Sequence, residues 1–364
     1  MSRPRIVFMG TPDFAVASLR ALVESGQNVV GVVTTPDRPV GRHHGKLQPC
    51  PVAAYARAHG IPLLQPERLR DPAFLSALHG LRADMQVVVA FRMLPEEVWA
   101  MPPMGTFNLH ASLLPAYRGA APINWAIIRG EELTGCTTFL LDRQIDTGAI
   151  LLQQSTPIRP DDNAASLHDR LMAMGARLVL QTVHILAQGA PRGPSRGASQ
   201  GAPQAIPQSQ LPAPKPGSES APKLHRENTR INWAQTTLQV HNFIRGLAPR
   251  PAAWTLWRGT PTKILASCPL PAAEEPSPKG SLAGETRKAH PDTHLDALPD
   301  APPDTRPDAP PDTAPVIVHN GQLLARCSDG WLSITRLQPA GSKPMDADAW
   351  LRGHRMVNDE FSCQ

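Results

Sequence analysis

The 364-residue chain is poor in cysteine, and the cysteines it has are badly spaced for chemistry. The five, Cys50, Cys136, Cys268, Cys327 and Cys363, are odd in number and scattered, with no CxxC pair. That spacing supports neither a disulfide framework nor a zinc site. Long apolar runs are also missing. The N-terminal apolar run, residues 6–9, is too short for the core of a signal peptide. No segment reaches the roughly 20 apolar residues of a membrane-spanning helix. A soluble cytoplasmic protein without a membrane segment is therefore the expectation. A GxGxxG loop is lacking where a dinucleotide fold would carry one. The turn after the first apolar run reads GTPD (10–13), a plain strand-to-helix connection. His43 and His44 are adjacent and have no spaced carboxylates beside them, so no metal site is expected.

What is present is alternation. Strand-like runs at 5–9, 28–35, 84–91, 105–110, 134–141 and 149–153 are separated by helical stretches at 12–25, 52–59, 71–80, 95–100 and 122–129. Thr11 is the expected cap of the first helix, with Pro12 at its first position. A long helix is expected over 161–188, where Leu167, Leu171, Met174 and Leu178 recur near helical spacing. Strands alternating with helices predict an α/β unit with a mostly parallel sheet covered on both faces. Sites in such sheets lie beyond the carboxyl ends of the strands.

Composition shifts twice. Residues 190–222 are rich in Pro, Gly and Ser and too poor in large apolar residues to form a core, which predicts a linker. From 223 to 268 there are seven Lys or Arg against one acid, a local excess of the kind that meets a polyanion or is simply solvated. A helix-like segment at 231–247 and short strand-like runs at 254–267 and 316–337 predict a small all-β barrel. Residues 269–314 interrupt it with a four-residue repeat of the PDAP type. They carry nine acids against four bases. Proline at nearly every repeat start forbids a regular helix there.

Chemistry gathers in NLHASLLPAYRG (108–119) and LDRQIDTGAI (141–150). Asn108 and His110 are two apart at a strand end, so they share a face. Asp146 precedes Thr-Gly on a tight turn. An amide donor, an imidazole and a carboxylate are the equipment for acyl transfer to an amine. The first two donate to a developing oxyanion, where loss of one donor typically costs about 100- to 1000-fold in rate. The carboxylate orients the imidazole and relays a proton. The competing reading is two satisfied polar groups and a turn aspartate. An aspartic protease needs a second Asp-Thr-Gly in an all-β body, and the triplet occurs once. The long segment 36–52 carries Arg38, Arg42 and Lys46 among prolines and glycines, which is suited to phosphate contact or to a plain surface loop.

These motifs resemble the methionyl-tRNA formyltransferases, within the wider folate-dependent formyltransferases. IVFMGTPDFAV, TTPDRPVGR, KLQPCPV, NLHASLLPAYRGAAPINWAI and DTGAILLQ match in order, and INW, IRGL, KIL, CSDGWLSITRLQPAGSKPM and LRG match the second half. The resemblance implies a Rossmann-like formyltransferase domain over 1–189, the linker 190–222, and an OB-type C-terminal tRNA-binding domain over 223–364 that holds the insert 269–314. It implies transfer of the formyl group of 10-formyltetrahydrofolate, without a metal, to the α-amine of methionyl initiator tRNA. Asn108, His110 and Asp146 become the catalytic trio, and Ser112, Leu113, Leu114 and Pro115 the folate loop. Arg42 becomes a contact to the acceptor end of the tRNA. Arg38, Lys46, Lys223 and Arg245 are the accompanying candidates for tRNA contact. A monomer is expected. A transferase acting on a small amine, such as glycinamide ribonucleotide or an amino sugar nucleotide, and a non-catalytic RNA-binding relative are the alternatives. The segment AFRMLP (90–95) departs from the family pattern AYGxxLP, with Arg92 in the place of its glycine region.

Overall fold

The computed structural model describes residues 3–40, 46–188, 205–271, 276, 313–354 and 359–362. It contains two compact units, Met1–Asn228 with Arg245–Pro251, and Thr229–Ile244 with Ala252–Gln364.

The first unit runs β1 (Arg5–Gly10), α1 (Asp13–Glu24), β2 (Asn28–Val33), β3 (Arg38–Val40), β4 (Lys46–Gln48), α2 (Pro51–Ala58), β5 (Leu63–Leu64), α3 (Pro72–Gly80), β6 (Met85–Val89), α4 (Glu96–Trp99), β7 (Thr106–His110), β8 (Arg118–Gly119), α5 (Pro122–Ile128), β9 (Leu133–Leu140), β10 (Ile150–Pro157), α6 (Ala164–Ala187) and β11 (Ser220–Ala221). Seven strands form one sheet in the order β10-β9-β7-β6-β1-β2-β5. The five strands from β5 to β7 are parallel, and β9 and β10 join antiparallel at one edge. Alternation along β1 explains the two covered faces. Ile6 and Phe8 enter a core with Leu19, Leu22, Leu171 and Val179 from α1 and α6. Val7 and Met9 enter a second core with Phe74, Leu78 and Val98 from α3 and α4.

Helix starts are set by local capping. Pro12, not Thr11, occupies the position before α1, and no side chain caps it there. The Asp71 side chain accepts from the Ala73 N–H at the start of α3. Asn163 and Ser166 form a capping box, which moves the start of α6 to Ala164, three residues after the expected 161. Beside it, the buried Asp162 carboxylate accepts from Arg170 (2.9 Å), the Arg159 N–H (2.7 Å) and Ser166 (2.9 Å).

Two segments expected to be irregular have structure. Within 36–52, β3 and β4 pair as an antiparallel hairpin that matches Arg38 with Gln48 and Val40 with Lys46. Its tip, including Arg42, lies outside the described residues. In the stretch expected as a linker, residues 189–204 also lie outside them, but 205–222 are laid along the first unit. Ile206 bridges to Ile150. A short 3-10 turn follows at Gln208–Gln210, and β11 runs parallel to β8.

The second unit contains most of α7 (Thr237–Leu247), then β12 (Ala253–Trp257), β13 (Thr260–Pro269), β14 (Thr313–His319), β15 (Gln322–Arg326), β16 (Trp331–Pro339), β17 (Met345–Asp346), α8 (Ala347–Arg352) and β18 (Asp359–Ser362). The strands form one antiparallel sheet in the order β13-β12-β18-β14-β15-β16-β17, and β13 also pairs with β16. That second pairing curls the sheet into a small barrel, filled by Ile264, Leu323, Leu332, Ile334 and Leu337. The acidic proline repeat between β13 and β14 lies outside the described residues.

Candidate active site

β7 ends at the carboxyl edge of the sheet, beside β6 and β9. Asn108 and His110, two apart on it, both line a cavity of about 710 Å³. Asp146 reaches the same cavity from the connection between β9 and β10. The three residues singled out by motif therefore converge. Asn108 is half-buried, and its side chain forms no hydrogen bond among the described residues. His110 is buried, and its Nε2 donates to the Tyr117 carbonyl at 2.8 Å. A carbonyl can only accept, so Nε2 carries a proton, and Nδ1 is the ring nitrogen that faces Asp146.

Asp146 faces the His110 imidazole at ion-pair distance. Its Oδ2 lies 3.7 Å from His110 Nδ1, beyond a hydrogen bond. The hydrogen bond that holds the ring goes to the Tyr117 carbonyl. Asp146 Oδ2 accepts from the Gly119 N–H at 2.9 Å. One short loop, 117–119, thus holds both groups through backbone atoms. The Asp146 turn has its own supports. Asp142 Oδ1 accepts from the Gln144 N–H and the Thr147 hydroxyl, an aspartate-closed turn that brings Asp146 to φ 55°. At Gly148, a Cβ would lie 1.7 Å from the Leu140 carbonyl oxygen, so only glycine fits. Gln208, at 6 % exposure, donates from Nε2 to the carbonyls of Asp146 and Gly148, each at 2.9 Å.

The proposed folate loop is not in this cavity. Ser112 and Leu114 are buried behind it. The Thr137 hydroxyl donates to the Ser112 carbonyl and accepts from the Leu114 N–H, and the Gln153 amide donates to the Leu114 carbonyl. Leu114 packs on Phe139 and Ile150. Leu113 and Pro115 are partly exposed but do not line the cavity either. The apolar wall comes from elsewhere, with Phe91, Met93 and Leu94 on one side and Leu141 and Ile145 on another. Met93 and Ile145 are 71 % and 57 % exposed, two apolar side chains at the rim that a flat ligand would cover. Arg92 is itself part of that wall. Its guanidinium donates to the carbonyls of Pro66 and Glu67 and lies over the Phe91 ring, while burial pulls its pKa down.

Among the candidates for tRNA contact, Arg38 and Lys223 are exposed. Lys46 pairs through its backbone in β4, and its side chain lies outside the described residues, as does Arg42. Arg245 is engaged elsewhere. It donates to the carbonyls of Arg159 and Asp162, and its burial lowers its pKa. The Tyr117 carbonyl, the Gly119 N–H and Gln208 were missed by sequence reasoning. The first two are backbone atoms, signalled only by the run YRG, and Gln208 sits in a stretch whose composition reads as linker. Among the described residues no three His, Cys, Asp or Glu side chains are grouped to hold a metal ion, and no helix is long and apolar enough to cross a membrane.

Residues 4–183 match the model of the formyl transferase family, and residues 223–355 match that of the formyl transferase C-terminal domain. The chain is 45 % identical to the methionyl-tRNA formyltransferase of Parabacteroides distasonis over 355 residues, covering 97 % of this chain and 96 % of that one. It is 43 % identical to the enzyme of the same name from Chlorobium phaeovibrioides, over 96 % of this chain and 95 % of that one. Among solved structures, HypX from Aquifex aeolicus in complex with tetrahydrofolic acid superposes with a TM-score of 0.56 at 16 % identity, over 100 % of this chain and 51 % of that one. The sugar 3N-formyl transferase WlaRD gives 0.54 at 15 % identity, over 94 % of this chain and 100 % of that one. The two structural likenesses speak to fold.

Proposed function

The chain belongs to the formyl transferase family, and on that premise we propose that it moves a formyl group from 10-formyltetrahydrofolate to the α-amine of methionyl initiator tRNA. The carrying observation is the convergence of Asn108, His110 and Asp146 on one cavity, in a chain similar along nearly its whole length to enzymes named for that reaction. The cavity fits such a donor. Its apolar walls suit a flat ring, and its polar groups sit together at the ends of β7 and the Asp146 turn.

The chain's own residues divide the work. An α-amine has a pKa of about 7.7–8.0, so a useful fraction is neutral near pH 7 and can attack directly. As its lone pair bonds to the formyl carbon, charge develops on the formyl oxygen. The Asn108 amide, which forms no hydrogen bond among the described residues, donates to that oxygen. The attacking nitrogen must then lose a proton. His110 presents Nδ1 toward Asp146 at 3.7 Å, and the carboxylate, or the ring in its neutral form, can accept that proton. Once protonated at Nδ1, His110 becomes a second donor to the charged oxygen. Return of the proton to the donor's nitrogen lets its bond to the formyl carbon break, leaving the formyl group on the α-amine. Solvent is held back because His110 and Asp146 are 7 % and 14 % exposed.

We assign tRNA contact to the β3–β4 hairpin with Arg38, Arg42 and Lys46, and to Lys223. Arg245 is left out, because it already serves two carbonyls. The test is formylation of charged initiator tRNA by the purified chain with 10-formyltetrahydrofolate, read as N-formylmethionine after deacylation. Turnover with this pair carries the reading. Turnover on glycinamide ribonucleotide or an amino sugar nucleotide, with none on methionyl-tRNA, overturns it.

A further inference from the structure

The site depends on residues that composition assigns to a linker. Gln208 is the most telling of them. It lies 62 residues beyond Asp146 in sequence, yet its Nε2 donates to the Asp146 and Gly148 carbonyls on either side of Thr147. Its Oε1 accepts from Arg118 twice, from Nε at 3.1 Å and Nη2 at 2.6 Å. Arg118 lies between Tyr117, whose carbonyl holds His110, and Gly119, whose N–H holds Asp146. One buried amide therefore joins the turn that carries the carboxylate to the loop that fixes both partners.

The rest of the segment repeats the pattern. The Tyr117 N–H donates to the Ser218 carbonyl at 2.6 Å, and the Ala120 and Ala121 N–H groups donate to the Ala221 carbonyl at 2.8 and 3.1 Å. The fit at Gly119 is close. It has φ 119°, and a Cβ there would lie 2.8 Å from the Ala221 oxygen. The Trp125 indole N–H donates to the Pro222 carbonyl at 2.8 Å. Loop 117–121 is thus clamped on its outer side by 218–222, while its inner side holds His110 and Asp146.

We propose that residues 205–222 form a positioning strap for formyl transfer, with Gln208 as its principal residue. Gln208 touches no reacting atom. It fixes the Asp146 backbone at φ 55° so that Oδ2 stays on the Gly119 N–H, 3.7 Å from the imidazole. A misplacement of about 1 Å in such a site can cost about 100-fold in rate. The inference rests on the assignment of Asp146 as a catalytic group, so its test includes a readout that needs no turnover.

The test uses the full chain with Gln208→Met, which keeps length and removes every hydrogen bond. It also uses Gln208→Glu, which keeps the acceptor for Arg118 and loses both donors to the carbonyls. The expected result in each is a fall in kcat of about 100-fold, with KM for either substrate within about 3-fold, since transition-state positioning and not uniform binding is lost. In an Asp146→Asn background the same changes should cost no more than about a further 3-fold, because Gln208 acts through Asp146. Amide exchange at Gly119 should quicken in both single variants. Should Gln208→Met fail to fold, Gln208→Glu and its exchange rate decide the matter. Wild-type kcat in Gln208→Glu, a loss confined to KM, full additivity with Asp146→Asn, or unchanged exchange at Gly119 overturns the strap. An inactive wild-type chain overturns the formyl-transfer reading instead, and Gly119 exchange then still decides whether Gln208 holds the turn.

Discussion

Gly148→Ala is the sharpest perturbation of the Asp146 turn that alters none of the side chains assigned to catalysis. The added Cβ would lie 1.7 Å from the Leu140 carbonyl oxygen and 2.9 Å from its carbon, where real Cβ atoms essentially never come within 3.0 Å. The gap must open by about 1.3 Å, the difference between 1.7 and 3.0 Å. Neither obstructing atom is the tip of a flexible side chain. The Leu140 N–H also donates to the Ala149 carbonyl at 2.9 Å, which ties the two arms of the turn together beside the clash. The strain therefore moves backbone, and Asp146 lies two residues away. Its Oδ2 sits 2.9 Å from the Gly119 nitrogen, and an added ångström carries it past hydrogen-bonding distance. Misplacement on that scale predicts a fall in kcat of about 100-fold. Overpacking of this kind also costs roughly 1–3 kcal/mol of stability, so kinetics should be measured well below the variant's own unfolding midpoint. The assay is steady-state formylation of charged initiator tRNA, with each substrate varied in turn. The loss should fall on kcat. A folded Gly148→Ala variant that turns over within about 3-fold of wild type would refute the claim that the turn sets the rate.

Asn108→Ala removes the amide assigned to meet the developing charge, so kcat should fall about 100- to 1000-fold while the folded protein still binds tRNA; filter binding together with turnover checks both. Asp162 bears on stability. Burial pushes its carboxyl up, but hydrogen bonds from Arg170, the Arg159 N–H and Ser166, with the Arg170 charge, outweigh that and hold it at about 2 against an ordinary 3.8. Its folded-state pKa is depressed, so its contribution of about 2 kcal/mol is present above pH 4 and is lost as pH falls toward 2. Urea unfolding across that range should show wild type losing that much more stability than Asp162→Asn, and parallel losses would contradict the assignment. Arg38→Ala and Lys223→Ala should each lower the slope of log affinity for tRNA against log salt by about one. A slope unchanged in both would remove these two residues from the contact surface.

The parts of the site that could be read from sequence are those in which side-chain identity and strand period carry the signal. Asn108 and His110 share a face because β7 is a strand, and the two-residue period needs no tertiary information. Asp146 announces itself through the Thr-Gly that follows it. The doubly covered parallel sheet is likewise written in apolar runs separated by helical spacing. Ser112 to Pro115 are harder to read. An apolar stretch next to catalytic residues can face a ligand or pack behind the site, and composition is the same in both cases. Here Thr137 and Gln153 engage its backbone groups and draw it inward. Gln208 fails for a different reason. The argument that made 190–222 a linker asks whether a segment can build a core of its own, and this one cannot. It does not need to, because it lies against a sheet that other residues have already formed. Its contacts are hydrogen bonds to carbonyls, which leave no trace in hydrophobicity or period. A low-apolar segment between two folding units can therefore be as well placed as any strand, provided that its polar groups meet backbone left unpaired at a loop. Tyr117, Gly119 and Asp146 leave such groups at the edge of this site, and the 205–222 strap together with the His110 and Asp146 side chains satisfies them.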